Sequence, residues 1–395
     1  MKLPRDVEYI ISSLNAAGYR ADVVGGPVRD FLLGSEPSDY DITTSATPEE
    51  IKRAFSDCRT VDTGIIHGTV SLILAGVQYE ITTYRVDGEY LDSRHPESVS
   101  FTDSLAEDLA RRDFTMNAIC YNPKDGITDL YGGIEDIKSR IIRAVGEPDR
   151  RFCEDALRIL RGVRFASVLG FDIECSTAVA MLEKRELLRR VSAERIYTEW
   201  KKLLSGKNAY AVIEKYSDVI AVFLPEICTV PLPDVERFFK ADYLSRLLSL
   251  FALCESENPA DTFASAMKRL KTDKAVRLLG SAVLSAYGKY ELCSEKGMHY
   301  ALMRLGEEVL RALVRTEYLT GRLERSTEDI LENLLIGGVP YRISDLKIGG
   351  DDLAALGFFG REIGDALGEL LLKVVVGELS NEREELVSFA LKLKK

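Results

Sequence analysis

A chain of 395 residues is longer than a single hydrophobic core serves, so two to four domains of roughly 100–200 residues are expected. With 46% hydrophobic and 29% charged residues the composition is that of a globular protein, and no apolar run approaches the ~20 residues that span a bilayer. A net charge of −11 excludes a protein that coats nucleic acid indiscriminately, while leaving room for a local basic groove.

The start, MKLPRDVEYI, lacks the apolar core of a signal peptide, and a cytoplasmic protein is expected. The seven cysteines are scattered and never in CxxC spacing, so they read as reduced thiols rather than a disulfide or zinc framework. His67, His95 and His299 are the only histidines, which argues against a multi-histidine metal site.

In chain order, Val7, Ile10, Ile11 and Leu14 recur at helical spacing and stop at Gly18. The strand ADVVGG follows, then a glycine turn, the short helix VRDFLLG and the strand SDYDITT. Thr47 with Glu50 three residues on is a capping box for a helix over 48–55. HGTVSLILAG and VQYEITTYRV read as a hairpin around Ala75-Gly76. A polar loop spans 86–101. From Asp149 the pattern turns helical and stays so, broken at FLPEICTVPLPD and LIGGVPYRISDLKIGG. The expected fold is a multidomain α+β chain: an α/β head with a small mixed sheet, then an all-helical remainder.

The chemistry starts at SDYDITT. On a strand, Asp39 and Asp41 face the same side, and two adjacent carboxylates repel unless a cation shares them. Hard oxygen donors of this kind suit Mg²⁺, which is commonly held by one or two carboxylates together with substrate phosphates. Upstream, Gly25 and Gly26 allow a tight turn and close backbone approach, and Arg29 lies one turn into the following helix, within reach of a triphosphate. Glu80, on the strand YEITTYR, is a candidate third carboxylate, with a metal role and a surface role equally supported. Alone, a DxD is more often a solvated turn; spaced as GGxxRDxxLGxxxxDxD it points to nucleotidyl transfer, in which metal-bound groups activate a hydroxyl and stabilise leaving pyrophosphate.

At these residues the chain resembles the class II, bacterial-type tRNA nucleotidyltransferases and poly(A) polymerases. DLARRDFTMNAI at 108–119 resembles the family's second motif, EDALRILRGVRF at 154–165 its nucleotide-selecting motif, and AERIYTEWKKLL at 193–204 the motif after it. IGGDDLAALGFFGREIGDALGELL is similar to the tail of the shorter bacterial members. The resemblance implies a head (1–145), a helical neck that selects nucleotides (146–205), a body (206–325) and a tRNA-binding tail (326–395). It implies that Gly26, Arg29 and Arg112 contact the nucleotide, that Asp113 lies near the ribose, and that Asp39 and Asp41 hold Mg²⁺. Asp155, Arg158, Arg161 and Arg164 would line the base and phosphate side.

That last series has a physical logic of its own. Residues 155, 158, 161 and 164 recur every three positions, so one helix side can face a bound nucleotide. Cytosine and adenine both present an amino donor beside a ring-nitrogen acceptor, which an Asp and Arg pair can match; uracil and guanine cannot satisfy it. Taken alone, the same helix also fits a solvated face with ion pairs such as Glu154 with Arg158.

The partners implied are the acceptor arm and elbow of tRNA, with CTP and ATP as substrates. Residues 151–205 carry eleven basic against eight acidic side chains, which makes the neck the natural place for phosphate contacts. Ile363, Leu367, Leu370, Leu371, Val374 and Val375 form an apolar stripe that reads as core. The loop with Asp87, Gly88, Asp92 and Arg94 resembles one present in full CCA-adding and A-adding members and shortened in CC-only ones. Addition of C, C and A is therefore expected, with an A-only enzyme, a poly(A) polymerase and a non-catalytic RNA-binding protein as rivals. The acidic chain lacks the basic extension of poly(A) polymerases, and VVGGPVRD lacks the GxGxxG of a dinucleotide-binding oxidoreductase. The oligomeric state is left open.

Overall fold

Short runs of β-branched residues separated by glycine turns build the sheet that organises the first part of the chain. Helix α1 (Arg5–Ala16) buries Val7, Ile10, Ile11 and Leu14, and the chain reverses at Gly18, whose φ of 91° suits glycine. Strand β1 (Ala21–Val24) is buried at every position and leads through Gly25 into α2 (Gly26–Leu32). Strand β2 (Asp41–Thr44) follows, then α3 (Pro48–Ala54), closed by the expected capping box between Thr47 and Glu50. Strands β3 (Arg59–Gly64), β4 (Thr69–Leu74) and β5 (Val77–Thr83) come next, with the expected hairpin turn at Ala75 and Gly76. Later come β6 (Arg85–Asp87), β7 (Val99–Phe101), α4 (Leu105–Ala110), β8 (Ile119–Asn122), β9 (Gly126–Asp129) and α5 (Gly133–Lys138).

The computed structural model describes the whole chain except Ser38, residues 89–98, 228–229 and 232–233, and Lys395. Seven strands form one mixed sheet in the order β3-β4-β5-β2-β1-β8-β9, in which β2 and β5 are the parallel pair. Two expectations change. The strand in SDYDITT starts only at Asp41, so Asp39 lies in the chain leading into it. The two ends of the loop over 86–101 pair as a ribbon, with Arg85 opposite Phe101 and Asp87 opposite Val99; Asp92 and Arg94 lie outside the described residues.

Beyond the head the described chain is almost entirely helical, apart from a short parallel pair of Ile141–Ile142 with Asp172–Ile173. Helices α6 (Pro148–Glu154), α7 (Leu157–Leu169), α8 (Cys175–Lys184) and α9 (Ala193–Leu204) follow. EDALRILRGVRF is not one continuous helix: Asp155 has φ −136° and ψ 104°, and its Oδ1 accepts from the Leu157 N–H at 3.0 Å. That side-chain bond stops α6 and starts α7, the usual reason Asp prefers helix ends. Residues 113–115 are stitched to residues 143–145 by Val145 N–H to the Asp113 carbonyl (3.1 Å) and Thr115 N–H to the Arg143 carbonyl (2.9 Å).

The chain divides into two compact units, Met1–Cys228 and Thr229–Lys395, at the FLPEICTVPLPD break. The described residues of the second unit are built from helices and connecting turns. Near its end Leu367, Leu370, Leu371 and Val375 are buried with Leu353 and Leu386, and Ile363 and Val374 pack against them. The predicted stripe is therefore core, and each of its buried leucines contributes about 1.5–3 kcal/mol.

Candidate active site at the end of the head sheet

Register alone brings the head residues together. Val23 lies opposite Ile42 across β1 and β2, so Asp41 stands beside the end of β1, next to Gly25. Across the parallel pair, Asp41 is the direct partner of Glu80. Side chains at facing positions of neighbouring strands project to the same face, so these two carboxyls are neighbours. On the other side of β1, Val24 faces Cys120 and the Gly25 N–H donates to the Ile119 carbonyl at 3.0 Å. The segment ahead of β8, with Asp113 and Asn117, therefore reaches the same sheet end.

Gly25 has φ 79°, and a Cβ there would stand 3.2 Å from Arg112 Nη1 and 3.5 Å from the Asn117 carbonyl. Glycine is favoured here by its backbone angle, and the close approach of Arg112 leaves little room for a larger side chain. Arg112 reaches Asp108 Oδ2 at 3.4 Å, while Arg111 holds Asp108 Oδ1 at 2.8 Å and Thr43 Oγ1 donates to Asp108 Oδ2 at 3.1 Å. Arg112 Nε is buried without a hydrogen-bond partner among the described residues. Such a donor calls for an acceptor. Burial pulls the Arg112 guanidinium below its ordinary pKa, with the Asp108 carboxylate opposing.

Asp39, Asp41 and Glu80 are exposed. The Asp41 carboxyl is nonetheless pushed above its ordinary value, first by the protein that hems it in and then by the negative charges of Asp39 and Glu80, with Arg112 opposing. Among the described residues no three His, Cys, Asp or Glu side chains stand together closely enough to hold a metal unaided. The donor set fits a hard cation shared with other oxygen ligands, as Mg²⁺ prefers, rather than an all-protein cage.

The predicted neck residues separate into different environments. Asp155, at the helix break, pairs with Arg195 Nη2 from α9 at 2.8 Å rather than with Arg158. Arg158 is buried: Nη1 donates to Glu154 Oε2 (2.8 Å) and the Arg151 carbonyl (3.1 Å), and Nη2 to the Arg111 carbonyl (2.8 Å). The Glu154 and Arg158 pair exists, but inside the protein rather than on a solvated face. Arg161 grips Asp113 Oδ2 through Nε (2.7 Å) and Nη2 (2.6 Å), and Asp113 Oδ1 also accepts from Asn117 Nδ2 at 3.1 Å. Burial alone would raise the Asp113 carboxyl, but Arg161 and Asn117 bring it down to about 2. Arg164 Nε bonds Glu199 at 2.5 Å. Arg29 bonds Asp30 at 2.7 Å and, through Nη1, Asn117 Oδ1 at 2.8 Å.

Asn117, Arg195, Glu199 and Phe165 belong to this constellation without having been singled out from the sequence. Each lies inside a quoted motif, and the missing signal was pairing across elements, which spacing within one helix does not carry.

Known proteins resemble this chain along nearly its whole length. The poly A polymerase head domain family matches residues 21–143, and a probable RNA and SrmB-binding site of polymerase A matches 170–229. The CCA-adding enzyme of Enterococcus faecalis is 37% identical over 398 residues, covering 97% of this chain and 94% of its own. That of Levilactobacillus brevis is 37% identical over 405 residues, covering 98% of each. A crystal structure of the Bacillus stearothermophilus CCA-adding enzyme in complex with CTP has a TM-score of 0.82 at 31% identity, covering 100% of this chain and 98% of that one. With a head sheet that gathers Gly25, Asp41, Glu80 and Arg112 at one end, and relatives matched along nearly its full length, the chain belongs to the family of CCA-adding enzymes.

Proposed function

We propose that this chain adds C, C and A, without a nucleic-acid template, to the 3′ end of tRNA from CTP and ATP. The observation that carries the reading is the register pair of Asp41 with Glu80 beside the Gly25 turn and the buried, half-satisfied Arg112. That combination puts anion-repelling carboxylates and an anion-seeking guanidinium on one sheet end, the polarity a metal-bridged triphosphate needs.

Asp39 and Asp41 would hold Mg²⁺, with Glu80 adding negative charge beside them. When bound, the metal would supply Lewis-acid activation of the attacking 3′ hydroxyl and of the leaving pyrophosphate. The chain's own residues do the rest. Gly25 and Gly26 let the backbone approach the triphosphate, and Arg29 and Arg112 offer guanidinium donors to its oxygens. Asp113, fixed by Arg161 and Asn117, lies near the ribose. Asp155 would present an acceptor to the base edge and Arg158, on giving up Glu154, a donor, with Arg161 and Arg164 beside them. In this reading a nucleotide takes Asp155 from Arg195, so that the side chain accepts from the amino group of cytosine or adenine. Uracil and guanine leave it facing a carbonyl, a mismatch of about 1–3 kcal/mol.

The finer division into head 1–145, neck 146–205, body 206–325 and tail 326–395 belongs to this proposal, as does docking of the tRNA acceptor arm and elbow on the helical part. No helix among the described residues is long and apolar enough to cross a membrane. A cytoplasmic location is proposed from the substrates.

Ordered addition tests the reading. Purified protein with Mg²⁺ and tRNA lacking CCA is expected to add two C residues from CTP alone, and CCA when ATP is also present. Addition of A only to tRNA ending in CC would replace the reading with an A-adding enzyme. A long A tail would indicate a poly(A) polymerase, and no incorporation a non-catalytic RNA-binding protein.

A further inference from the structure

Three guanidinium groups converge on one buried aromatic ring. Phe165, 4% exposed on α7, has Arg164 at 3.8 Å, Arg29 at 5.2 Å and Arg161 at 5.6 Å from guanidinium carbon to ring centroid. Phe114 contacts the same ring edge-on at 5.9 Å. The hydrogen bonds around it close a circuit. Arg161 binds Asp113, Asp113 holds Asn117, Asn117 accepts from Arg29, and Arg29 returns to the ring. Glu199 links the other two cations, at 2.5 Å from Arg164 and 3.9 Å from Arg161.

Like-charged groups this close repel, and Asp30, Asp113 and Glu199 balance the three charges. A carboxylate fixes a guanidinium in one direction, whereas a ring face attracts it over a range of positions. An incoming triphosphate competes for the same N–H groups as the carboxylates. The ring lets a guanidinium turn from carboxylate to phosphate without losing its packing, and it joins Arg29 of the phosphate-binding turn to Arg161 and Arg164 of α7.

We propose that Phe165 is a positioning residue that couples the triphosphate-binding helix α2 to the nucleotide-selecting helix α7. This rests on the nucleotidyltransferase reading given above. Binding of the triphosphate and recognition of the base are then one event, and a nucleotide with the wrong base holds its phosphates poorly.

The test is a double-mutant cycle on the full-length protein, with CTP incorporation into tRNA lacking CCA as readout. Phe165→Leu is expected to lower kcat/KM for CTP about tenfold, mostly through KM, and to narrow the preference for CTP over UTP by a similar factor. Phe165→Tyr, which keeps the ring, is expected to restore both. Combined with Arg29→Ala, Phe165→Leu is expected to cost much less than the product of the two single losses. Independent, multiplicative losses, or an unchanged CTP to UTP ratio with a merely lower melting temperature, would overturn the proposal. If Phe165→Leu does not fold, Phe165→Met serves the same cycle. Wild-type protein that incorporates no nucleotide counts against the nucleotidyltransferase reading itself; active wild type with an uncoupled cycle counts against Phe165 alone.

Discussion

The carboxylate end of the head sheet and the arginine-bearing helix α7 solve opposite electrostatic problems. At the sheet end, Asp41 is raised by crowding and by acidic neighbours, so the folded chain holds negative charge in tension. On α7 the cations are matched with carboxylates: Arg158 with Glu154, Arg161 with Asp113 and Arg164 with Glu199. In the proposed function, metal binding and base selection would then be prepared differently. One site is left needing positive charge, and the other is wired in advance and must exchange partners to work.

The sharpest way to break this contrast is Asp41→Ala. Incorporation is expected to fall by about a thousandfold or more in a tRNA primer assay, because charge stabilisation at the reacting phosphate is lost. The metal-free protein is expected to melt no lower than wild type, since the substitution relieves repulsion. A large drop in metal-free stability would mean that the carboxylate is structural.

Arg158→Met probes the wired side. It leaves two backbone carbonyls and a share of Glu154 unsatisfied, and is expected to cost about 3 kcal/mol in denaturant unfolding. Unchanged stability would show that the Arg158 contacts carry no load in the folded protein.

Next in size is an effect of pH. The folded-state pKa of Asp113 is about 2, below its unfolded value, so its contribution is present above roughly pH 4 and is lost as pH falls toward 2. Asp113→Asn is expected to remove about 2 kcal/mol at neutral pH and to flatten the stability curve across that acid window. An equally steep acid limb in the variant would assign it to other carboxylates, Glu174 included, which its local hydrogen bonds also bring to about 2.

Glu80→Gln is expected to have the smallest effect, about tenfold in kcat with a higher Mg²⁺ concentration for half-activity. An unchanged Mg²⁺ dependence would leave Glu80 as a surface residue and confine the metal role to the two aspartates.

Much of this arrangement was legible in the chain. The period-two runs, the capping box at Thr47 and the turn at Gly76 are local signals, and the corresponding elements formed where those signals lie. The tail stripe could be read because helical burial repeats every three to four residues. What spacing could not give was partnership. Asp155 and Arg158 stand three apart, but the Asx bond to Leu157 breaks the helix between them and turns Asp155 toward Arg195. Likewise, the burial of the Glu154 and Arg158 pair depends on the Arg111 carbonyl, forty-seven residues upstream. In the head, Asp39 fell outside the strand because the ladder with β5 begins at Asp41.

The turn at Ala75 and Gly76 has a consequence beyond joining two strands. Both residues have positive φ, 50° and 84°, and together they set which residue of β5 faces which residue of β4. Because β5 also lies against β2, the strand that leaves this turn is the one that brings Glu80 beside Asp41. Side chains alternate between faces, so inserting one residue between the turn and Glu80 would carry that carboxyl to the opposite face of the sheet. An insertion there is therefore expected to take Glu80 from beside Asp41 and to turn the buried Ile81 outward with it, so the length of this exposed hairpin bears on the core and on the candidate site together.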